Sequence, residues 1–240
     1  MSLTRPLLFT SALLLMPLGL LAKPLQIYSE EWEGFTATDG SGLYLDLVRE
    51  IYQPLGYQLN IHIVPYKRSL DMVRHGGGDL ALGVYEQEVD DLRYPRYAMF
   101  ADDVSVLMQD KWAAAWQGEQ SLSDQRVLWQ RGWGYEKYIR VPMQWFEVDD
   151  HDKAMELLNH ERYRYYLGAG VLFEQSPQPG YRIKFLRWLR VYPVFSQTLR
   201  GEELAHQWDE GMLRLLKRGR VAKLFELHHM TQYYPSVASQ

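Results

Sequence analysis

Residues 42–64 read GLYLDLVREIYQPLGYQLNIHIV, and the spacing of the apolar residues in this stretch predicts a helix followed by a strand. Leucine and isoleucine recur every four residues between Leu43 and Leu55, which places them on one face of a helix. Pro54 and Gly56 end that pattern. Apolar and polar residues then alternate over residues 59–63, as is typical of a strand.

The same alternation of elements extends to both sides of this stretch. Residues 24–28 form a short β-prone segment, and residues 30–42 are glycine-rich and predict a loop. Residues 68–75 predict a short helix, and residues 80–84 predict a buried strand. The order strand, helix, strand, helix, strand favours a parallel sheet that is covered by helices.

A second, smaller α/β unit is predicted after an apolar run at residues 104–108. The tryptophan-rich segment from Trp112 to Gln125 is interpreted as the crossing between the two units. The predicted strands of the second half are residues 127–129, 145–148, 165–167, 183–186 and 191–195, and the predicted helices are residues 135–141, 152–160, 204–216 and 221–225.

The first residues have the pattern of a secretory signal peptide. Arg5 precedes an apolar run that contains Pro17 and Gly19 and ends at Ala22, which is a small residue suited to cleavage. The expected mature chain therefore starts near Lys23, and its expected location is the periplasm. No lipid anchor is expected, because the chain has no cysteine.

Composition excludes several classes of protein. The 240 residues are 47% hydrophobic and 23% charged, which fits a globular chain and not a disordered or polytopic membrane protein. The formal net charge of -4 offers no basic field for nucleic acid. The absence of cysteine removes disulfides and thiolate metal sites, and no cofactor or metal motif is present in the sequence.

Four motifs, taken in order, resemble those of a known family. Residues 42–47 (GLYLDL), 65–70 (PYKRSL), 78–83 (GDLALG) and 131–135 (RGWGY) are similar in sequence and spacing to segments of the extracellular solute-binding proteins of family 3. These are the periplasmic receptors of polar amino-acid ABC transporters. The resemblance extends over nearly the whole mature chain.

This resemblance implies an α/β, two-lobed, type 2 periplasmic-binding fold, in which each lobe is a mostly parallel sheet flanked by helices. Residues 23–107 with 193–240 would form lobe 1 and residues 108–192 would form lobe 2. Two crossing strands, residues 104–108 outward and residues 191–195 back, would act as the hinge. The implied function is capture of a small polar or zwitterionic solute, such as an amino acid, for an ABC permease of the inner membrane. The protein is expected to be a monomer without catalytic activity.

The chain departs from the family at two positions that hold α-amino acids. Val89 lies near the expected carboxylate-binding arginine, and Ala169 replaces the expected ammonium-binding aspartate. Arg93 or Arg68 is a candidate to replace the arginine, since a guanidinium reaches a carboxylate from a neighbouring element. The candidates to replace the aspartate are Glu30, Glu31 and Glu86.

Nine residues are candidates for ligand binding, on grounds of aromatic stacking, charge or position at a strand end. They are Trp32, Phe35, Tyr44, Arg68, Tyr85, Arg93, Arg131, Trp133 and Tyr135. The competing interpretation for the aromatic residues is the core, and for the arginines a solvated surface.

Two other functions stay open at this point. One is a ligand-sensing subunit for a membrane signalling protein. The other is a periplasmic enzyme that resembles cyclohexadienyl dehydratase, for which Glu30, Glu86 and His62 are the nominal acid or base candidates. The acidic run at residues 149–152 is interpreted as a helix N-cap and not as a metal site.

Overall fold

The computed structural model describes residues 23–175, 178–234 and 237. The predicted signal peptide, residues 1–22, lies outside the described residues. Within the described ranges, no helix combines the length and apolar character that crossing a membrane requires.

Strands and helices alternate along most of the chain. The strands are β1 (Lys23–Ser29), β2 (Tyr57–Ile63), β3 (Leu80–Tyr85), β4 (Phe100–Gln109), β5 (Arg126–Gln130), β6 (Gln144–Val148), β7 (Tyr165–Ala169) and β8 (Tyr181–Phe195). The helices are α1 (Leu43–Tyr52), α2 (Tyr66–Arg74), α3 (Asp110–Ala113), α4 (His151–Asn159), α5 (Gly170–Gln175), α6 (Leu199–Lys217) and α7 (Arg220–Leu227).

The strands form one sheet in the order β2-β1-β3-β8-β4-β7-β5-β6. In one half β1 runs parallel to β2 and β3, and in the other half β5 runs parallel to β6 and β7. The long strands β4 and β8 pair antiparallel with each other and connect the two halves. The predicted α/β architecture with two parallel units and two crossing strands is confirmed.

Each half has its own hydrophobic core. In the first half, α1, α6 and α7 pack on the sheet through residues such as Ile51, Trp208 and Phe225, all fully buried. In the second half, Trp129 of β5 and Leu167 of β7 are buried in a separate cluster. The two parallel units therefore have separate hydrophobic cores, and the crossing strands connect them.

Two predictions of secondary structure need correction, and two helices were missed. Residues 135–141 do not form an α-helix, and only a 3-10 turn at Tyr135–Lys137 is present, because Pro142 disfavours helical geometry at the residue before it. The two strands predicted at residues 183–186 and 191–195 are one continuous strand, β8. Helices α3 and α5 were not predicted from the sequence.

Of the two segments assigned to the outward crossing, the strand at residues 104–108 is confirmed and the tryptophan-rich segment is wrong. The chain passes to the second half along β4, before the tryptophan-rich segment begins. Trp112 and Trp116 instead pack against the core of the second half. Aromatic side chains of this size stabilise a fold most where they cover apolar surface, which explains why Trp112 and Trp116 pack on the second core.

Candidate functional site

A cavity of about 610 Å³ lies where the two halves of the sheet meet. Its volume is in the range typical of small-molecule sites. It is lined by Glu30, Glu31, Trp32, Glu33, Phe35, Tyr44, Tyr66, Gly83, Tyr85, Glu88, Asp102, Arg131, Gly132, Trp133, Gly134, Lys137, Tyr138 and Val191. The lining therefore comes from the loop after β1, the starts of α1 and α2, the end of β3, both crossing strands and the turn after β5.

The loop after β1 is folded back on itself and presents Trp32 to the cavity. The N–H of Trp32 donates to the Thr36 carbonyl at 2.9 Å, and the Thr36 hydroxyl donates to the Glu30 carbonyl at 2.5 Å. Thr36 is fully buried, so these bonds are shielded from water. Trp32 is consequently held in a fixed loop and not on a free chain.

A bulge in β3 provides the surface on which Trp32 rests. The pairing of β3 with β8 shifts between Ala81 and Val84, and Pro193 lies on the β8 side of the shift. Proline has no N–H to donate to a neighbouring strand, so a bulge at this point leaves no donor unpaired. Within the bulge Gly83 has φ +79°, and a Cβ there would lie 2.3 Å from the Trp32 ring. Only glycine allows both this backbone conformation and this contact.

The opposite wall is the turn after β5. The backbone N–H of Gly132 donates to Glu147 Oε1 at 2.9 Å, which fixes the turn to β6. The Trp133 ring packs against Tyr135, with 5.6 Å between ring centroids. The Arg131 guanidinium donates to Asp149 Oδ1 at 2.9 Å and lies 3.8 Å from Glu147. The positive charge of Arg131 is thus already paired with carboxylates.

Tyr138 connects this turn to the rest of the site. Its carbonyl accepts a hydrogen bond from the Arg187 guanidinium of β8. Its ring lies edge-on to Tyr85 of β3, with 6.1 Å between centroids. Tyr85 and Tyr138 therefore contact each other in the cavity wall and join the two halves.

Asp102 of β4 is the most perturbed acid of the site. Burial and, to a smaller extent, the charge of Asp103 raise its pKa to about 6, while the hydrogen bond from the Tyr85 hydroxyl opposes that rise. The Tyr85 hydroxyl lies 2.5 Å from Asp102 Oδ2. Burial and the nearby Asp102 charge in turn raise the pKa of the Tyr85 hydroxyl well above its usual value. The pair supplies a neutral hydroxyl and an acid that is mostly ionised at neutral pH.

The described lining carries more negative than positive side chains. Glu30, Glu31, Glu33, Glu88 and Asp102 are its five carboxylates, and Arg131 and Lys137 are its two cations. Glu88 is oriented by the Tyr85 N–H, which donates to its Oε2 at 3.0 Å. Burial, with the neighbouring Glu88 charge, raises the pKa of the Tyr66 hydroxyl.

Six of the nine predicted site residues line the cavity. They are Trp32, Phe35, Tyr44, Tyr85, Arg131 and Trp133. Phe35 and Tyr44 also belong to an aromatic stack, with 4.8 Å between their ring centroids, so they serve the core as well as the wall. Contact of these six residues with a ligand stays a prediction.

The other three predicted residues lie outside the lining. Arg68 is exposed on α2. Arg93 lies at the other end of β8, where its N–H donates to the Phe195 carbonyl at 2.7 Å and its guanidinium is 3.8 Å from Glu202. Tyr135 is buried against Trp129, because the turn directs its ring into the second core.

The remaining candidates are also placed by the structure. Glu30 and Glu31 line the cavity, whereas Glu86 lies 3.9 Å from Arg190 outside it. His62 stacks on Tyr28, with 4.5 Å between ring centroids, and it bonds Gln26. Val89 packs in a small cluster beside β3, away from the cavity. Neither proposed replacement arginine therefore reaches the lining.

Sequence reasoning missed Tyr66, Glu88, Asp102, Lys137 and Tyr138. Tyr66 lies in the PYKRSL motif, and Glu88 follows the end of β3, so position at a strand end or helix start was an available signal. Asp102 had no such signal, because a charged residue inside a strand predicts exposure unless its tertiary environment is known.

The acidic run before α4 has the predicted structural role. Asp150 is the N-cap, and its side chain accepts from the Lys153 N–H at 2.7 Å. Among the residues that the structure describes, no group of three or more His, Asp or Glu side chains is arranged to hold a metal ion.

The fold is that of the two-lobed type 2 periplasmic binding proteins, with two parallel units, two crossing strands and a cavity between the units. The ligand-binding core of GluR0 from Nostoc punctiforme, in complex with L-glutamate, matches with 13% identity and a TM-score of 0.62, over 86% of this chain and 100% of that chain. An ancestral arginine-binding protein bound to arginine matches with 15% identity and a TM-score of 0.59, over 85% and 96%.

A third solved structure belongs to the same class. The amino acid ABC transporter substrate-binding protein AbpA from Streptococcus pneumoniae, bound to L-arginine, matches with 16% identity and a TM-score of 0.59, over 88% of this chain and 96% of that chain. No family model and no curated protein matches the chain in sequence. At these identities the likeness establishes the fold.

Proposed function

We propose that this chain is a periplasmic solute-binding protein that captures a small polar or zwitterionic solute, such as an amino acid or a related compound, and delivers it to an ABC permease. The observation that carries the proposal is the 610 Å³ cavity, which is lined from both halves of the sheet and from both crossing strands. A solute in that position contacts both halves at once, so it stabilises the arrangement in which they are close.

The proposed mechanism is a shift of population from an open to a closed form. Lobe 1, residues 23–107 with 193–240, and lobe 2, residues 108–192, would move about β4 and β8. Tyr85 and Tyr138, which are in edge-on contact with 6.1 Å between ring centroids, would separate in the open form. The protein is proposed to work as a monomer after removal of residues 1–22. The amino-acid complexes of the AbpA and arginine-binding structures support a solute of this size.

Ligand-induced stabilisation of residues 23–240 tests this function directly. The panel comprises amino acids, amines, dipeptides and organic acids, read by thermal unfolding and by small-angle scattering. A ligand at a hundred times its Kd stabilises by about 2.7 kcal/mol, which raises the Tm of a chain of this size by about 5–10 °C. The radius of gyration should fall with the same ligand.

A matched pair of tryptophan variants tests whether the ligand that raises the Tm binds in the cavity. Trp32→Ala removes a cavity wall and should abolish the shift in Tm, whereas Trp145→Ala, at a side chain 47% exposed on the edge strand β6, should retain it. A panel that leaves both the Tm and the scattering profile unchanged would reject solute binding. Mass spectrometry of small molecules that copurify with the protein extends the panel to unexpected solutes.

A sensing role and a transport role share this site and differ in their partner. Deletion of the gene separates them: loss of solute uptake supports delivery to a permease, and loss of a transcriptional response supports a membrane signalling partner. The scattering and Tm results are the same for both.

Asp102 is the observation that favours a second, enzymatic candidate. Asp102 lines the cavity and its pKa is about 6, and its Oδ2 lies 2.5 Å from the Tyr85 hydroxyl oxygen. A carboxyl group with such a pKa can act as a general acid or base. Incubation of the protein with arogenate or prephenate, followed by chromatography, tests this activity. Product that forms with the wild type and not with Asp102→Asn would support the enzyme.

A further inference from the structure

We infer that the cavity takes an organic cation, an amine or a guanidinium compound, and that it needs no α-carboxylate on that ligand. The inference rests on the proposed solute-binding function and names the ligand class for the same site. It is carried by the charge of the lining, by its aromatic walls, and by the positions of the arginines.

The carboxylates surround the cavity on the side of the first half and at the hinge. Glu30 and Glu88 are half-buried in its wall, and Asp102 lies on the crossing strand β4. Glu31 and Glu33 are exposed at its edge. A cation that enters meets negative charge from several directions, and the partly buried members of the set are screened less by salt than surface charges are.

Aromatic rings form the rest of the wall. Trp32 and Tyr66 lie on one side, with 5.9 Å between their ring centroids, and Trp133 lies on the other. Tyr85 and Tyr138 close the space between them. The negative faces of such rings attract ammonium and guanidinium groups, so they favour the same ligand charge as the carboxylates do.

Among the residues that the structure describes, the lining offers no free, buried arginine for a ligand carboxylate. Arg131 is held by Asp149 and lies 3.8 Å from Glu147, and Lys137 is exposed at the rim. Arg68 and Arg93 lie outside the lining. An anionic group in the cavity would therefore face the carboxylates without the bidentate partner that offsets its loss of water.

A buried hydroxyl at the cavity also awaits a partner. The Tyr138 hydroxyl is buried and has no hydrogen-bond partner among the described residues. Its oxygen can accept a hydrogen bond from an ammonium or guanidinium N–H. Buried polar groups are normally paired, so an unpaired hydroxyl at this position fits a site that a polar ligand completes.

Titration calorimetry with matched compounds tests the ligand class. The cationic probes are agmatine, putrescine, choline and L-arginine, and the neutral or acidic comparisons are L-citrulline and L-glutamate. At least one cationic probe should bind, and L-citrulline should bind at least about tenfold more weakly than L-arginine, which has the same carboxylate. Agmatine should bind no more weakly than L-arginine, because it lacks only the carboxylate.

Charge-neutral variants supply the structural control. Glu88→Gln keeps an oxygen that can accept from the Tyr85 N–H, and Glu30→Gln is nearly isosteric. Each should weaken binding of the cationic probe by about tenfold. Glu226→Gln, on the exposed face of α7, should leave the affinity unchanged.

The outcomes separate this inference from the proposed function. Binding of L-glutamate or L-citrulline in preference to every cationic probe, with closure in scattering, would overturn the cation and leave solute binding in place. Cationic binding that needs the carboxylate, with L-arginine active and agmatine inactive, would overturn the second half of the inference. Failure of every compound in this and the wider panel would reject both.

Discussion

Gly83 combines a backbone conformation and a contact that no other residue tolerates. It sits in the bulge of β3 opposite Pro193, and the Trp32 ring occupies the space where a Cβ would be. A methyl group at this position would therefore displace the Trp32 ring from the cavity wall as well as strain the backbone. The two effects are separable, because another glycine in the chain has the same conformation without the contact.

Gly83→Ala is expected to lower both stability and ligand affinity. Positive φ costs about 1 kcal/mol for alanine, and displacement of the Trp32 ring adds an overpacking cost of about 1–3 kcal/mol. Gly56→Ala is the matched control, since Gly56 has φ +84° and nothing within 4 Å of its missing Cβ. Urea denaturation should show a larger loss for Gly83→Ala, and equal losses would contradict the role given to the Trp32 contact.

Asp102 is expected to make stability depend on pH. Its pKa of about 6 in the folded protein exceeds the value of about 3.9 in an unfolded chain, so the folded state binds the proton more tightly. The stability that comes from this proton is present below about pH 4 and is lost as the pH rises through about 6.

Asp102→Asn removes this dependence. Relative to the wild type, the variant should gain about 2–3 kcal/mol in free energy of unfolding between pH 4 and pH 7.5, measured by urea denaturation without ligand. Glu226→Gln serves as the control for an exposed carboxylate. A difference between Asp102→Asn and wild type that is the same at every pH would show that Asp102 titrates as it does in the unfolded chain.

At the scale of elements, Asp79 joins β1, β3 and α6. Its carboxylate accepts from the Gln26 N–H at 2.8 Å and from the Arg200 guanidinium at 2.6 and 3.1 Å. Arg200 also donates to the Pro24 carbonyl at 2.7 Å. The Asp79 side chain is only 14% exposed, whereas Arg200 is 46% exposed, so the bond from the Gln26 N–H is the more shielded part of this set. The GDLALG motif thus has a structural role through Asp79, in addition to the contribution of Gly83 to the cavity.

Asp79→Ala is expected to destabilise the protein by about 2 kcal/mol, because it leaves the Gln26 N–H and the Arg200 guanidinium without their acceptor. Glu50→Ala breaks a more exposed pair with Arg220 and should cost about 0–1 kcal/mol. Chemical denaturation of the two variants gives the comparison. If Asp79→Ala lowers the free energy of unfolding by as little as Glu50→Ala does, water satisfies the Gln26 N–H and the Arg200 guanidinium in place of Asp79.

At the scale of the whole molecule, the two halves have separate cores that are joined by the crossing strands and by Tyr85, which packs against both. The register of β4 against β8 shifts between Val104 and Ser105, so the connection itself is irregular near its middle. Bulges of this kind increase local twist and bending of a strand pair. Relative motion of the halves about this connection is therefore expected.

Spin labels on introduced cysteines should report this motion, because the chain has no cysteine of its own. A pair at Thr38 and Arg140, both exposed, spans the cavity, and a pair at Thr38 and Lys217 stays within the proposed lobe 1. Addition of a bound ligand should shorten the first distance by several ångströms and leave the second unchanged. An unchanged first distance, with binding shown by calorimetry, would rule out hinge closure.

The sequence by itself determined the order of elements and most of their positions. Periodic apolar residues predicted α1, α4, α6 and α7 within a few residues, and short apolar runs predicted the parallel strands. These signals are local, because burial of one face requires a fixed spacing along the chain. The prediction of a helix at residues 135–141 was wrong. It used the apolar spacing alone, whereas Pro142 disfavours helical geometry at the residue before it.

Only the tertiary structure decided which side chains meet at the cavity. Trp32, Asp102 and Tyr138 lie far apart in sequence, and their approach depends on the bulge in β3, the course of β4 and the turn after β5. Arg68, Arg93 and Tyr135 were reasonable candidates by residue type, yet they point to solvent, to Glu202 and into the second core. Residue type fixes what a side chain can bind, whereas its surroundings fix whether a ligand can reach it.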